Sequence, residues 1–246
     1  MPAPIVTIIV SDAHLGEAPE EVSGAFRCFV EAVPDIGDHL IINGDLFDFW
    51  FEYRHVIPKA HFAVLSALGR LGDHGVKLTV MGGNHDRWGA EFWDDAMGGR
   101  FYRKGAELNV AGWRAWITHG DGLAESDLGG RLIHRIVGHP LTAAAFRWLH
   151  PDIGFSLVRR MSGRLGARRG GEEAVARAVA AQARFAAQVL DSRPELDLLV
   201  LGHTHRPVLH SHGERRWYLN PGAWMDGYRY AIVTEEGPEL RAFISH

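Results

Sequence analysis

Residues 5–10, Ile-Val-Thr-Ile-Ile-Val, form an apolar run that is too short for a helix and rich in β-branched side chains. Such a run predicts a strand buried on both faces. Comparable runs occupy 40–43, 78–81, 113–118 and 198–201. Between them, helical periodicity predicts helices over 19–33, 58–71 and 172–190, the second carrying apolar Phe62, Leu65, Leu68 and Leu71. Strand and helix therefore alternate, the mark of an α/β fold. Near the end, 217–219, 230–234 and 239–244 read as short strands separated by Pro-Gly and Asp-Gly turns, which predicts a second sheet with antiparallel pairing.

Each buried strand runs into a short polar motif. The five are Asp12-Ala13-His14, Gly44-Asp45-Leu46-Phe47-Asp48, Gly83-Asn84-His85-Asp86, His119-Gly120-Asp121 and Gly202-His203-Thr204-His205. Loops at strand ends are where α/β proteins place their sites. Carboxylates, an amide and neutral imidazoles together suit divalent cations of intermediate hardness. His14 lies two residues after Asp12, and His205 two after His203, so an extended exit from a strand returns both members of a pair to one face. Any one of these motifs arises by chance. Five in order, each after a strand, point to a phosphoesterase centre, where two cations activate water and neutralise the attacked and leaving oxygens of a phosphoryl group.

Order and residue types resemble the calcineurin-like metallophosphoesterase superfamily, from about Ile5 to about Trp224. The resemblance implies a four-layer α/β/β/α sandwich of two mixed sheets flanked by helices. It implies that Asp12, His14, Asp45 and His205 hold one metal and that Asp45, Asn84, His119 and His203 hold the other, with Asp45 as the bridge. Manganese is the metal it favours, with iron, zinc or cobalt compatible. His85 would face the substrate phosphate as the catalytic group outside the ligand set, a role suited to an imidazole. Asp48, Asp86 and Asp121 are expected to support the ligands, Asp86 by orienting the neighbouring imidazole of His85.

Composition narrows the alternatives. A chain of 246 residues with 46% hydrophobic content suits one catalytic domain carrying an insertion. A net charge of −4 argues against coating nucleic acid. The single cysteine, Cys28, excludes an internal disulfide, and the start of the chain lacks the features of a signal peptide, so a cytoplasmic protein is expected. Against the acidic total, eight arginines fall between Arg131 and Arg169 with one acidic residue, Asp152. Interleaved with Phe146, Trp148, Leu149, Ile153, Phe155, Leu157 and Val158, they predict a helical cap over 121–171 made of two or more short helices, with Pro140 and Pro151 as boundaries between them. Such a cap would place Arg131, Arg135, Arg159 and Arg160 on phosphates and its apolar face on greasy chains or a membrane surface. The alternative is an insertion used only for packing or dimerisation.

The text Gly44-Asp45-Leu46-Phe47-Asp48, His119-Gly120-Asp121-Gly122, Arg159-Arg160-Met161-Ser162, Gly202-His203-Thr204-His205-Arg206-Pro207 and Asn220-Pro221-Gly222-Ala223-Trp224 is most similar to the UDP-2,3-diacylglucosamine pyrophosphohydrolases of lipid A biosynthesis. That resemblance implies a nucleotide-linked lipid substrate and, through the cap, contact with the inner membrane face. The third motif departs from it: many members carry arginine where this chain has His85, the general superfamily residue. A general phosphodiesterase or another nucleotide-lipid pyrophosphatase stays open beside it, as does a non-catalytic scaffold on the same fold. The complete set of seven ligand residues plus His85 favours an enzyme.

Overall fold

The computed structural model describes residues 5–16, 18–89, 91–123, 142, 145–166 and 171–244, without the side chains of 158, 159 and 161–166. Arg131, Arg135, Pro140 and the side chain of Arg159 lie outside that description. Two sheets organise the chain. The first contains β1 (Thr7–Val10), β2 (His39–Asn43), β3 (Lys77–Met81), β4 (Arg100–Tyr102), β10 (Arg229–Thr234) and β11 (Gly237–Ala242) in the order β11-β10-β1-β2-β3-β4. The second contains β5 (Ala106–Val110), β6 (Trp113–Ile117), β7 (Leu198–Val200), β8 (Val208–Ser211) and β9 (Trp217–Asn220) in the order β5-β6-β7-β9-β8. β1 to β4 run parallel, as do β6, β7 and β9, while β10, β11, β5 and β8 pair antiparallel with their neighbours.

Alternation along the strands sorts the core into layers. Ile8, Val10, Leu40, Ile42, Leu78 and Val80 turn towards α1 (Glu20–Ile36) and α2 (Phe62–Gly69). Their neighbours Ile9, Ile41 and Met81 turn the other way and meet Ala115, Ile117, Leu198, Val200 and Leu219 of the second sheet. On the far side of that sheet, Leu199 and Tyr218 pack on Ala186, Val189 and Leu190 of α4 (Glu172–Ser192). Helix, sheet, sheet and helix follow one another, as expected, because every central strand is apolar on both faces.

The structure corrects two expectations. The end of the chain does not build a sheet of its own: β9 joins the second sheet parallel to β7, and β10 and β11 extend the first sheet antiparallel to β1. Ile232 and Ala231, on opposite faces of β10, are both buried and fit the layers on either side of the first sheet. The helix expected over 58–71 opens as a 3-10 turn at Lys59–His61, and Phe62 at its head is 65% exposed while Leu65 and Leu68 are buried. In the basic insertion, Pro151 opens α3 (Pro151–Gly166), the position where a missing N–H costs a helix nothing. Phe146 and Phe155 reach back from this segment to Phe49, 5.7 and 5.3 Å between ring centroids, and Phe146 also packs on Phe51 and Trp88.

Candidate metal centre

Five parallel strands, β1, β2 and β3 of one sheet and β6 and β7 of the other, end at the five motifs. Main-chain bonds hold the loops together: Asp12 N–H donates to Gly44 O at 3.1 Å, His14 N–H to Asp45 O at 3.0 Å and Gly202 N–H to His119 O at 2.8 Å. The last of these joins two loops of the second sheet. Asp12 then crosses between the sheets, its Oδ2 accepting from the His203 N–H at 3.1 Å and from the Ser11 hydroxyl.

The turns that bring the side chains inward require unusual backbone. Asp12, His14, Asp45, His203 and His205 all have positive φ, between 46° and 69°. Among the described residues only two other non-glycine positions, Ala111 and Tyr228, do so. Left-handed geometry costs an L-residue about 1–2 kcal/mol. Its concentration on five of the seven expected ligands marks a site that the surrounding fold over-determines.

Two groups of expected ligands converge. Asp12, His14 and His205 place one ligand atom each within 4.8 Å of one another, and so do Asp45, His119 and His203, while His14, Asp48 and His85 form a third cluster within the same distance that overlaps the first at His14. His14 Nε2 lies 3.3 Å from His205 Nε2, and Asp12 Oδ1 lies 3.4 Å from the same atom. His119 Nε2 stands 3.1 Å from Asp45 Oδ2, and His14 Nε2 stands 3.8 Å from it, so the Asp45 carboxylate faces both groups.

The protonation logic fits cations. His119 Nδ1 is 2.8 Å from the carbonyl oxygen of Asn43, where it must donate, which turns a lone pair on Nε2 towards Asp45. Asp12 Oδ1, Asn84 Oδ1 and His119 Nε2 are buried yet make no hydrogen bond among the described residues. Buried acceptors without a donor are costly unless something positive sits between them. The donor set of carboxylate, amide oxygen and imidazole is the one that manganese, iron, zinc and cobalt accept.

Charge reinforces this. Burial would raise the carboxyl of Asp12, but His119 and His205 overcome it and hold the group down at about 2. Asp45 behaves likewise and lies well below the ordinary carboxylate range, through His119 first and then His85 and His14. Burial lowers His14 and His203 to about 4, so both are neutral ligands. At His119 burial acts downward as well, but the carboxylates of Asp45 and Asp12 reverse it and favour positive charge at that nitrogen. A bound cation would supply that charge instead of a proton.

The supporting carboxylates divide their work differently from expectation. Asp86 does not orient His85: its two oxygens accept from the Gly83 N–H at 2.7 Å and the Leu46 N–H at 2.8 Å, stapling the second and third motif loops. The reason is geometric, since Asp86 points back beneath its own turn. Burial, then Asp45, raises it to about 6. Asp48 takes the role instead, its carbonyl oxygen accepting from His85 Nδ1 at 2.6 Å with its carboxylate 3.7 Å away. That bond engages Nδ1 and leaves Nε2 on the opposite edge of the ring. The main-chain N–H of His85 donates to Asp45 Oδ1 at 2.9 Å. Asp121 pairs with Arg87 at 2.6 Å. Arg160 is exposed on α3.

Two contributors carried no motif signal. Gln182, fully buried on α4, donates to Gly202 O at 2.9 Å and accepts through Oε1 from Thr204, Tyr218 and Asn220 at 3.2–3.3 Å. It fixes the loop bearing His203 and His205. Asn43 acts through its main-chain carbonyl, which any residue could offer.

The sequence profile of the calcineurin-like phosphoesterases matches residues 5–207. The chain belongs to that family. It is a metal-dependent phosphoester hydrolase, which the convergence of the motifs makes physically sensible. Similar curated proteins include two named UDP-2,3-diacylglucosamine hydrolase. The one from Porphyromonas gingivalis is 27% identical over 241 residues, 90% of this chain and 91% of that protein. The one from Pseudomonas putida is 27% identical over 251 residues, 96% and 98% of the two. Among solved structures, the phosphoesterase Yfce from E. coli covers 97% of this chain and 93% of its own, at 15% identity and a TM-score of 0.47.

When bound, divalent ions supply an activated water and positive charge at the attacked phosphoryl group. The chain's own part is to fix the imidazole tautomers and hold Asp45 between the two groups.

Proposed function

We propose that this calcineurin-like phosphoesterase hydrolyses UDP-2,3-diacylglucosamine at the α-phosphorus, giving UMP and 2,3-diacylglucosamine 1-phosphate. Two divalent ions, manganese first, serve it: one held by Asp12, His14, Asp45 and His205, the other by Asp45, Asn84, His119 and His203, with Asp45 shared. His85 protonates the leaving oxygen or stabilises charge on the phosphoryl group. The chain is one domain with a cap over 121–171, whose arginines bind phosphates.

The observation that carries this reading is a cleft of about 800 Å3 beside the centre. Its lining sets apolar Leu15, Phe49, Val56, Ile57, Pro58 and Phe155 beside polar Asp48, Lys59, His61, His150 and Asp152, and it borders the centre at Asp48, whose main-chain carbonyl accepts from His85 Nδ1. A mixed apolar and charged lining beside a metal-binding centre suits an amphiphile with a charged head, and the volume is in the usual range for ligand sites, about 300–1,000 Å3. Peripheral contact with the inner membrane face belongs to the same proposal. No helix among the described residues is long and apolar enough to cross a membrane. Yet Trp148 is 91% exposed, Ile153 and Leu157 are exposed on α3, and Val56 and Ile57 are exposed in the lining of the cleft. Apolar side chains so placed can dip into a lipid interface.

The deciding assay is release of UMP from UDP-2,3-diacylglucosamine in mixed micelles with manganese. The expected result is turnover at the α-phosphorus, read by incorporation of 18O from labelled water into UMP. Hydrolysis of bis-p-nitrophenyl phosphate without UMP release would instead assign a general phosphodiesterase.

A further inference from the structure

Two imidazoles line the cleft beside the centre, the exposed ring of His150 and the buried ring of His61. Stacking holds His61 in place. Its ring centroid lies 4.1 Å from that of Phe47, at 27°, and 6.4 Å from that of Trp50, while its main-chain N–H donates to Pro58 O at 3.1 Å in the 3-10 turn Lys59–His61. A Cβ added at Gly16 would lie 3.3 Å from His61 Cε1, the carbon between the two ring nitrogens, so that edge of the ring sits where the first motif loop borders the cleft. Burial lowers His61 to about 4, against a hydrogen bond with the Phe49 main chain, and the ring is neutral. A neutral imidazole carries one N–H and one lone pair. The N–H goes to the Phe49 carbonyl, and no donor among the described residues meets the second nitrogen. Unlike Tyr53 Oη or Trp50 Nε1, that nitrogen is not sealed off without a partner, so it reaches the surface of the cleft that the ring lines.

An acceptor fixed in such a wall is unfavourable until a donor meets it. We propose that His61 is a specificity-determining residue, which accepts a hydrogen bond from the N–H of an amide-linked acyl chain bound in the cleft. An amide sets its donor at the root of an alkyl chain, and the same lining offers Leu15, Val56, Ile57, Pro58 and Phe155 to that chain. A sugar hydroxyl would bring further polar groups against those apolar side chains. An ester in place of the amide turns an oxygen lone pair towards the lone pair of the imidazole, so the two linkages are told apart by an attraction in one and a repulsion in the other. This inference rests on the amphiphilic substrate proposed above and adds the linkage that the cleft prefers.

The test measures how two single-chain amphiphiles, each below its micelle concentration, inhibit hydrolysis of bis-p-nitrophenyl phosphate. N-dodecanoylglucosamine and 2-O-dodecanoylglucose differ only in carrying an amide N–H or an ester oxygen at the root of the chain. The amide should inhibit the unaltered protein at about tenfold lower concentration than the ester, the scale of one hydrogen bond made or left unmade. His61→Phe keeps a ring to stack on Phe47 but removes the acceptor, and should level the two. His61→Gln keeps an N–H for Phe49 and a carbonyl for the cleft, and should retain most of the preference. Equal inhibition of the unaltered protein by both amphiphiles, inhibition by neither, or a preference that survives His61→Phe would overturn the proposal. The comparison on the unaltered protein decides even if His61→Phe does not fold. If the preference is present and His61→Phe abolishes it, while no UMP is released from UDP-2,3-diacylglucosamine, that substrate fails and the role of His61 stands for another amide-linked amphiphile. Release of UMP without any preference for the amide gives the reverse.

Discussion

Gly44 sits where the second motif turns, with φ +82°, under the imidazole of His119. A Cβ added there would lie 2.5 Å from His119 Nδ1, 2.7 Å from its Cγ and 2.9 Å from the Gly83 Cα. Ordinary van der Waals contact begins near 3.4 Å, so Gly44→Ala must push the ring away by about 1 Å, off the Asn43 carbonyl that sets its tautomer. Two costs add. Left-handed backbone costs an alanine about 1–2 kcal/mol, and overpacking a buried site costs about 1–3 kcal/mol. For a domain of this size the sum, roughly 2–5 kcal/mol, lowers Tm by roughly 5–15 °C. Gly213→Ala is the control, because Gly213 has φ +79° and nothing within 4 Å of the added carbon, leaving only the backbone cost of about 1–2 kcal/mol. Misplacing a catalytic group by about 1 Å can cost 100-fold. Gly44→Ala should therefore lose metal, measured by plasma mass spectrometry, and about 100-fold in bis-p-nitrophenyl phosphate hydrolysis, while Gly213→Ala keeps both. Equal Tm and equal turnover in the two variants would refute the reasoning.

Three further outcomes follow from other parts of the molecule. His85→Ala should lower kcat by about 100-fold to 10,000-fold, the range for a lost proton-transfer group, with metal content retained; parallel loss of metal and activity would make His85 a ligand instead. Gln182→Leu takes the acceptor from the Tyr218 hydroxyl and one of two donors from Gly202 O, the other being Asn220 Nδ2, so it should destabilise by about 1–3 kcal/mol and weaken metal binding through the His203 loop, and a wild-type urea midpoint would sink the idea. His39, bonded to Thr79 Oγ1 at 2.8 Å, is lowered to about 4 by burial and then by Lys77. Its folded value lies below its unfolded one, so stability falls as pH drops from about 6.5 towards 4. His39→Gln should flatten part of that fall in Tm, and curves that run parallel would contradict it.

Much of this was legible in the sequence because the signals were local. A strand such as Ile8-Ile9-Val10 is apolar on both faces whatever surrounds it, and the motif it delivers follows within two residues. The five loops could therefore be placed before any contact was known. Three things were not legible. Strands β4, β5 and β8 are short and partly exposed, with no apolar run to announce them. Which sheet takes β10 depends on packing against β1, more than 200 residues away. Gln182 occupies an ordinary helical position, and only the fold brings it under Gly202. Adjacency in sequence points Asp86 at His85, whereas its carboxylate turns to the Gly83 and Leu46 N–H groups, a choice that only the folded loops make.

Neither sheet owns the centre. Asp12, His14, Asp45 and Asn84 come from loops of the first sheet, and His119, His203 and His205 from loops of the second. A cation held between them acts as a rivet through two plates, so its affinity measures how closely the plates are clamped. Shear between the sheets, by pressure or by a nick in the chain between β4 and β5, would release the ion while each sheet still kept its own hydrogen bonds. Loss of metal should thus be an early report of strain at a joint whose plates remain whole.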